Sequence, residues 1–348
     1  MPEALSVTTL ETGQTFGQWS EFELQFGLDT YSAASLNGPF DHERKEVRAA
    51  FQPMAFPKVE IKVGEELVLT GKVKEVAPSV DPGQSSIGVS VYSLAHELTE
   101  ICAPPDMLPL EYNGLDLKQI AQTLAGRATG IAVEFDGPPG ARFSRARCEP
   151  EGTLHDFLVE LGQQRGYVLT DTPAGDLLFR GTPTIGAPVA RLEGQPATRV
   201  TAQFQPASWF SSVTGRASTR SGKAGSSYTE HNPLFRSIYP RTTTISLDDT
   251  ESADVPKATK AAVGRMLAQV ISYTVDDVPT WRDGQGNLWR TNTTVTLLAP
   301  EAMVYRETEL LIRSVTLRQT PDGETASLQL ILPGAFGGSL PSELPWDP

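Results

Sequence analysis

The chain has 348 residues, 39% hydrophobic and 20% charged, and its 42 acidic against 29 basic side chains leave a net charge of −13. That length exceeds one ordinary core, so two or three domains are expected. The acidic balance speaks against sequence-independent nucleic-acid binding, which needs a positive surface to release counterions. It is compatible with a surface past which nucleic acid moves without sticking. The counts of Gly (30) and Pro (27) suit a β-rich chain with many turns. Cys102 and Cys148 are too few for a disulfide scaffold and lie in no CxxC spacing; they are expected as buried or partly buried thiols of a protein made in a reducing cytosol. Met1-Pro2-Glu3 opens no signal peptide, and the apolar runs are too short to span a membrane, so a soluble, cytoplasmically made protein is expected, with no membrane insertion.

Residues 1–94 read as β. Phe22, Leu24, Phe26 and Leu28 alternate with Glu21, Glu23, Gln25 and Gly27, the period of a two-faced strand. Tyr31 to Leu36 is expected to continue it until Asn37-Gly38-Pro39 breaks the run. Val59, Ile61 and Val63 alternate, Gly64-Glu65 turns, and Leu67 to Val73 and Ser85 to Tyr92 complete a set of short strands that suggests a barrel or curved sheet. The charged stretch 41–50 between them is expected as a loop.

The texture changes near residue 94. Leu94 to Ile101 reads as a short helix, and Leu115 to Leu124 as another with Leu117, Ile120, Ala121 and Leu124 on one face and Asp116 in its first turn. Ile131 to Phe135 reads as a strand. Thr153 with Asp156 approximates a capping box ahead of a helix whose stripe is Leu154, Phe157, Leu158 and Leu161, ended by Gly166. A hairpin follows, Tyr167 to Thr170 and Leu177 to Phe179, turning at Pro173-Ala174-Gly175. Residues 95–181 are therefore expected to form a small α+β insertion of two helices and three strands.

A second β region, 182–337, follows a Pro/Gly-rich connector. Strands are expected at Val200 to Phe204, Trp209 to Ala217 and around Ile245 to Leu247, with 218–232 as a long loop, and a helix at about 256–272 carries Val263, Met266, Leu267 and Val270 on its apolar face. The stretch from Asp277 to Pro333 reads as four strands, the first pair joined at Asp283-Gly284-Gln285-Gly286 and the last at Pro321-Asp322-Gly323, where glycine accepts positive φ. Residues 338–348 are expected as a flexible C-terminal tail with an exposed Trp346.

Little in the chain carries chemistry, so no catalytic, cofactor or metal site is expected. His96-Glu97 with Glu100 lacks the second imidazole of HExxH. His155-Asp156 opens a helix, and no G-x-S-x-G supplies a nucleophile. The Gly-Lys at Gly222-Lys223 lacks the spacing of a phosphate loop. Acids are too numerous to single out a glycosidase pair. Trp281, Trp289 and Trp346 are weighed as sugar platforms against cross-strand packing, and packing is preferred. Arg216, Arg220 and Lys223 form the one concentrated positive loop; with Trp346 they are the candidate partner-docking residues, the plain alternative for the loop being a solvated one.

The order of TGKVKEV, VYSLAHELTEICAPP, GLDLKQIAQTLAG, GTLHDFLVELGQQRGYVLTDTPAGDLLFRG and WRDGQGNLW…ELLIRSVTL…LPGAF resembles the baseplate hub proteins of Mu-like contractile-tailed bacteriophages, over roughly residues 5–337. The resemblance implies two tail-tube-like β-barrel domains, 1–94 and 182–337, around the insertion. It implies a homotrimer forming a pseudo-sixfold ring that adapts a hexameric tail tube or tube-initiator to a trimeric central spike. Tape measure and baseplate wedge proteins are implied as further neighbours, and DNA passes without specific binding. A phage tail and a related bacteriocin or injection machine remain equal readings. Alternatives from other classes are a tail-associated murein hydrolase and a glycan-binding module at 95–181.

Overall fold

The structure, a computed structural model, describes residues 3–104, 107, 110–181, 186–193, 198–217, 225–247, 255–336 and 340–347. The first segment supplies β1 (Leu5–Thr9), β2 (Thr15–Phe16), β3 (Glu21–Gly27), β4 (Ala33–Pro39), the helix α1 (Lys45–Ala50), β5 (Lys58–Val63), β6 (Glu66–Asp81) and β7 (Gln84–Ser93). The middle supplies β8 (Glu111–Tyr112), α2 (Leu117–Thr129), β9 (Val133–Phe135), β10 (Ala146–Arg147), α3 (Leu154–Gln164), β11 (Val168–Asp171) and β12 (Leu177–Arg180). The last contains β13 (Arg191–Glu193), β14 (Arg199–Phe204), β15 (Ser212–Ala217), β16 (Ser227–His231), β17 (Thr242–Leu247), α4 (Val255–Val270), β18 (Ile271–Val278), β19 (Thr294–Ala299), β20 (Val304–Thr320) and β21 (Gly323–Ile331). The architecture is mainly β with an α+β middle, as the sequence leads one to expect.

One 13-stranded sheet runs β14-β18-β21-β20-β3-β4-β7-β6-β5-β1-β2, with β19 also on β20 and β13 on β19. The seam between the two β regions is β20 against β3, from Ser314↔Gly27 to Gln319↔Phe22. Their apolar faces merge into one core in which Val7, Leu24, Ile61 and Val89 meet Tyr273, Val295, Leu317 and Leu328. The middle segment keeps its own core, including Leu98, Ile120, Leu124, Leu158 and Phe179. Period-2 alternation builds the first core and the 3.6-residue stripes of α2 and α3 build the second.

Both middle helices start at designed caps. Asp116 accepts from the Gln119 backbone N–H at 2.9 Å while the Gln119 side chain accepts from the Asp116 N–H, so Asp116 is the N-cap rather than a first-turn residue. Thr153 Oγ1 accepts from the Asp156 N–H at 3.1 Å. The β11–β12 turn closes at Gly175 (φ +85°), where an added Cβ would lie 2.7 Å from the Thr70 carbonyl of β6. This glycine lets the insertion's hairpin sit directly on the first β region.

Five expectations are corrected. The stretch 41–50 holds a helix, α1, because Val47, Ala50 and Phe51 recur on one side and are buried, Phe51 against Phe16 at 5.0 Å. Tyr31 to Leu36 does not continue β3: the chain reverses after Leu28, with Asp29 held by Arg313 of β20 at 2.8 Å, and β4 returns antiparallel. That strand runs through Gly38 to Pro39 instead of breaking, since Gly38 admits the Gln18-Trp19 backbone where a Cβ would stand 2.7 Å from the Gln18 carbonyl. Within 218–232, Ser227–His231 is a strand on β15. The first of the two expected turn-joined strand pairs shrinks to the single bridge Arg282↔Leu288, because Asp283 Oδ1 accepts from the Gln285 and Asn287 N–H groups and tightens the turn.

Candidate functional site

Among the described residues no group of three or more His, Cys, Asp or Glu side chains could hold a metal ion. The residues around His96 are committed elsewhere. Lys74 donates to Glu97 at 2.9 Å and to Glu100 at 2.6 Å, and Lys72 donates to Glu97 at 3.3 Å. Burial pushes Glu97 up, but the two lysines outweigh it and leave the carboxyl below its ordinary range. His96 packs on Tyr92 at 4.6 Å, and burial lowers its pKa. His155 shares a 2.8 Å hydrogen bond with the Tyr31 hydroxyl and is also lowered by burial, so both imidazoles favour the neutral form.

These groups belong to a seam that fastens the middle segment to the first sheet. Asp171, at the end of β11, accepts from the Ser32 N–H at 2.9 Å and the Ser32 hydroxyl at 3.0 Å. Burial raises its pKa to about 6 against those hydrogen bonds; the Ser93 hydroxyl favours the charged form but makes no hydrogen bond of ordinary geometry. Thr170 Oγ1 donates to the carbonyls of Gly27 at 2.7 Å and Thr30 at 2.9 Å. The arrangement positions one segment on another.

The cysteines divide. Burial pushes the Cys148 thiol up to about 11, which makes it inert at neutral pH. Cys102 is exposed, a departure from the expectation, because it sits where the chain crosses from the first helical turn toward α3.

Arg216 lies exposed on β15 opposite Ser227 and Ser246, while Arg220 and Lys223 lie outside the described residues. Trp346 is neither free nor exposed. Its ring meets Phe204 edge-on at 5.0 Å, Leu344 is buried beside it, and the buried Asp347 carboxylate accepts from Arg236 and from the Leu344 N–H, each at 2.9 Å. The described part of the C-terminal segment, 340–347, therefore lies on its own chain, because β14 offers an apolar seat and Arg236 a counter-charge. Trp281 and Trp289 are fully buried packing anchors: Trp281 lies against Phe22 at 5.7 Å and donates to the Arg318 and Thr325 carbonyls at 3.1 and 3.0 Å.

The surface carries features that periodicity does not reveal. Met54 is 86% exposed and Phe56 also faces solvent, both in left-handed backbone (φ +65° and +48°). A groove of about 350 Å³ is lined by Phe16 of β2, Val47 of α1, Trp19 and Phe51. On the last segment Ile238 and Tyr239 stand 85% and 75% exposed. The signal available in the sequence is large apolar residues inside proline-bounded loops, Pro53-Met-Ala-Phe-Pro57 and Ser237-Ile-Tyr-Pro240.

No curated protein matches the chain in sequence. Residues 95–181 match the family of the baseplate hub protein gp44-like, second domain. The crystal structure of the 43 kDa tail protein of prophage MuSo2 from Shewanella oneidensis is similar over 96% of this chain and 99% of that one, with a TM-score of 0.78 and 21% identity. The tail protein from Neisseria meningitidis MC58 is similar over 97% and 99%, with a TM-score of 0.80 and 18% identity. An E. coli protein, c3393, a type VI secretion component described as structurally similar to the T4 tail proteins gp27 and gp5, covers 94% of this chain with 76% of its own length, at a TM-score of 0.58 and 11% identity. The resemblance to baseplate hub proteins is thus borne out: residues 95–181 match the second-domain model of gp44-like baseplate hub proteins, within a chain whose fold is that of prophage tail proteins.

Proposed function

We propose that the chain is a structural baseplate hub protein of a contractile tail or a related injection machine. Three copies form a pseudo-sixfold ring between a hexameric tube and a trimeric spike, and DNA passes through its centre. The observation that carries this reading is the coincidence of a gp44-like second domain with a fold shared end to end with two tail proteins. The likeness to a secretion component itself similar to T4 gp27 and gp5 supports spike and tube proteins as partners. The role is architectural: the polar groups at the seam hold segments together, and buried Trp281 packs the last β region against Phe22 of the first.

Light scattering on the purified chain tests the reading. A ring of three has about three times the 37.6 kDa chain mass. A chain that stays monomeric at tens of micromolar, alone and with its spike partner, overturns the ring.

A further inference from the structure

Trp281, Trp289 and Trp346 commit their rings to packing within the chain, whereas Trp19 lines the surface groove beside β2. Three contacts fix the Trp19 indole. Its Nε1 donates to the Phe16 carbonyl at 3.1 Å. Phe51 meets it edge-on at 6.0 Å, with Phe16 a further 5.0 Å from Phe51. Gly38 of β4 packs against it, so closely that an added Cβ would stand 3.1 Å from Trp19 Cε3. The three rings form an aromatic wall that is ordered before any ligand arrives, and an ordered site loses little freedom on binding.

The rest of the lining is polar. Gln14, Gln18, Arg44 and Glu46 line the groove, and among the described residues no hydrogen bond or ion pair engages their side chains. Asp41 lines it too and accepts from the Glu43 N–H at 3.1 Å. The charges cancel: Asp41, Glu43 and Glu46 stand against Arg44, Lys45 and Arg48 along residues 41–48, so the stretch selects neither an anion nor a cation. A purely apolar ligand would take the amides, carboxylates and guanidinium out of water without replacing their hydrogen bonds, which is costly. What fits is a neutral molecule with an apolar face for the rings and hydroxyls for the polar groups. A pyranose has both, C–H groups on a ring face and hydroxyls around its edge. Those hydroxyls donate to carboxylates and amide carbonyls and accept from amide and guanidinium N–H groups. At about 350 Å³ the groove lies near the lower end of the ~300–1,000 Å³ span of small-ligand pockets, room for roughly one or two such rings.

We propose that this groove is a saccharide subsite, in which a neutral pyranose stacks on Trp19 while Gln14, Gln18, Arg44 and Glu46 hydrogen-bond its hydroxyls. The site belongs to the first β region, outside residues 95–181, and does not depend on how many copies assemble.

The test uses the full chain labelled with 5-fluorotryptophan, whose 5 indoles are followed by fluorine NMR. The Trp19 signal is the one absent from Trp19→Phe. Chitotriose and maltotriose are the probes, with a proline-rich peptide alongside. At least one of the two saccharides is expected to shift the Trp19 signal, saturating in the millimolar range, while the signals of buried Trp281 and Trp289 stay in place. A variant carrying Gln18→Ala and Glu46→Ala, both at exposed positions, keeps the wild-type circular dichroism and melting temperature. It is expected to bind about tenfold more weakly, the loss of one or two hydrogen bonds. No shift from either saccharide overturns the subsite, and so does an affinity that the double variant leaves unchanged. A shift caused by the peptide and by neither saccharide makes the occupant a peptide and overturns the proposal as well. The oligomeric mass is measured separately: a monomer that binds keeps this site and ends the ring, and a trimer that does not bind keeps the ring and ends this site.

Discussion

Asp171 is a carboxylate placed where water is scarce, held by hydrogen bonds from the Ser32 N–H and hydroxyl. Its folded pKa of about 6 exceeds the value of 3.8 for the free group, so within that window the folded state holds a proton that the unfolded chain has released. Its stabilising contribution is therefore full below the window and is lost as pH rises through about 6. Asp171→Asn mimics the protonated acid. The melting temperature of the variant relative to wild type is expected to rise by several degrees between pH 4 and pH 7, followed by differential scanning calorimetry. A difference that stays flat across those pH values shows that the fold does not raise the pKa of Asp171 above its free value. Trp281 illustrates the opposite use of a residue, a large side chain wholly enclosed, whose one polar atom is met by two carbonyls.

Among the elements, the C-terminal segment departs most from its composition. The stretch Ser339-Leu-Pro-Ser-Glu-Leu-Pro-Trp-Asp347 has no periodicity, yet Leu344 and Asp347 are buried and Trp346 packs on Phe204. Arg306 and Glu343 form an ion pair that adds a second attachment, though an exposed pair contributes little. Burial of one leucine and most of an indole is worth on the order of 2–4 kcal/mol. Removing residues 340–348 is thus expected to lower the melting temperature by a few degrees, at about 1–2 °C for each kcal/mol in a chain of 348 residues. An unchanged melting curve would mean that the segment rests on the sheet without stabilising it.

For the whole molecule the governing quantity is charge. A net charge of −13 opposes the release of counterions that drives non-specific binding of DNA. Duplex DNA mixed with the chain at micromolar concentration and about 50 mM salt is expected to migrate unretarded in a native gel. A retarded band that disappears as salt rises would reveal a positive lining and end the reading of unhindered passage.

The sequence by itself determined the β alternation, the two capped helices of residues 95–181, the hairpin turns at Gly64, Gly175 and Pro321-Asp322, and the acidic balance. Each depends on neighbours within a few residues, through pleat period, helix period, cap chemistry or the freedom of glycine. Tertiary structure alone decided the rest. The β3–β20 seam joins residues nearly 300 positions apart, and no local period records which strands meet. The fate of Trp346 depended on whether β14 offered it a seat. The helix at 45–50 formed because Phe16 stood ready to bury Phe51, and the exposure of Met54, Phe56, Ile238 and Tyr239 followed from where their loops emerged. An apolar residue carries the same chemistry in a core and on an interface; only the packing around it decides which it serves.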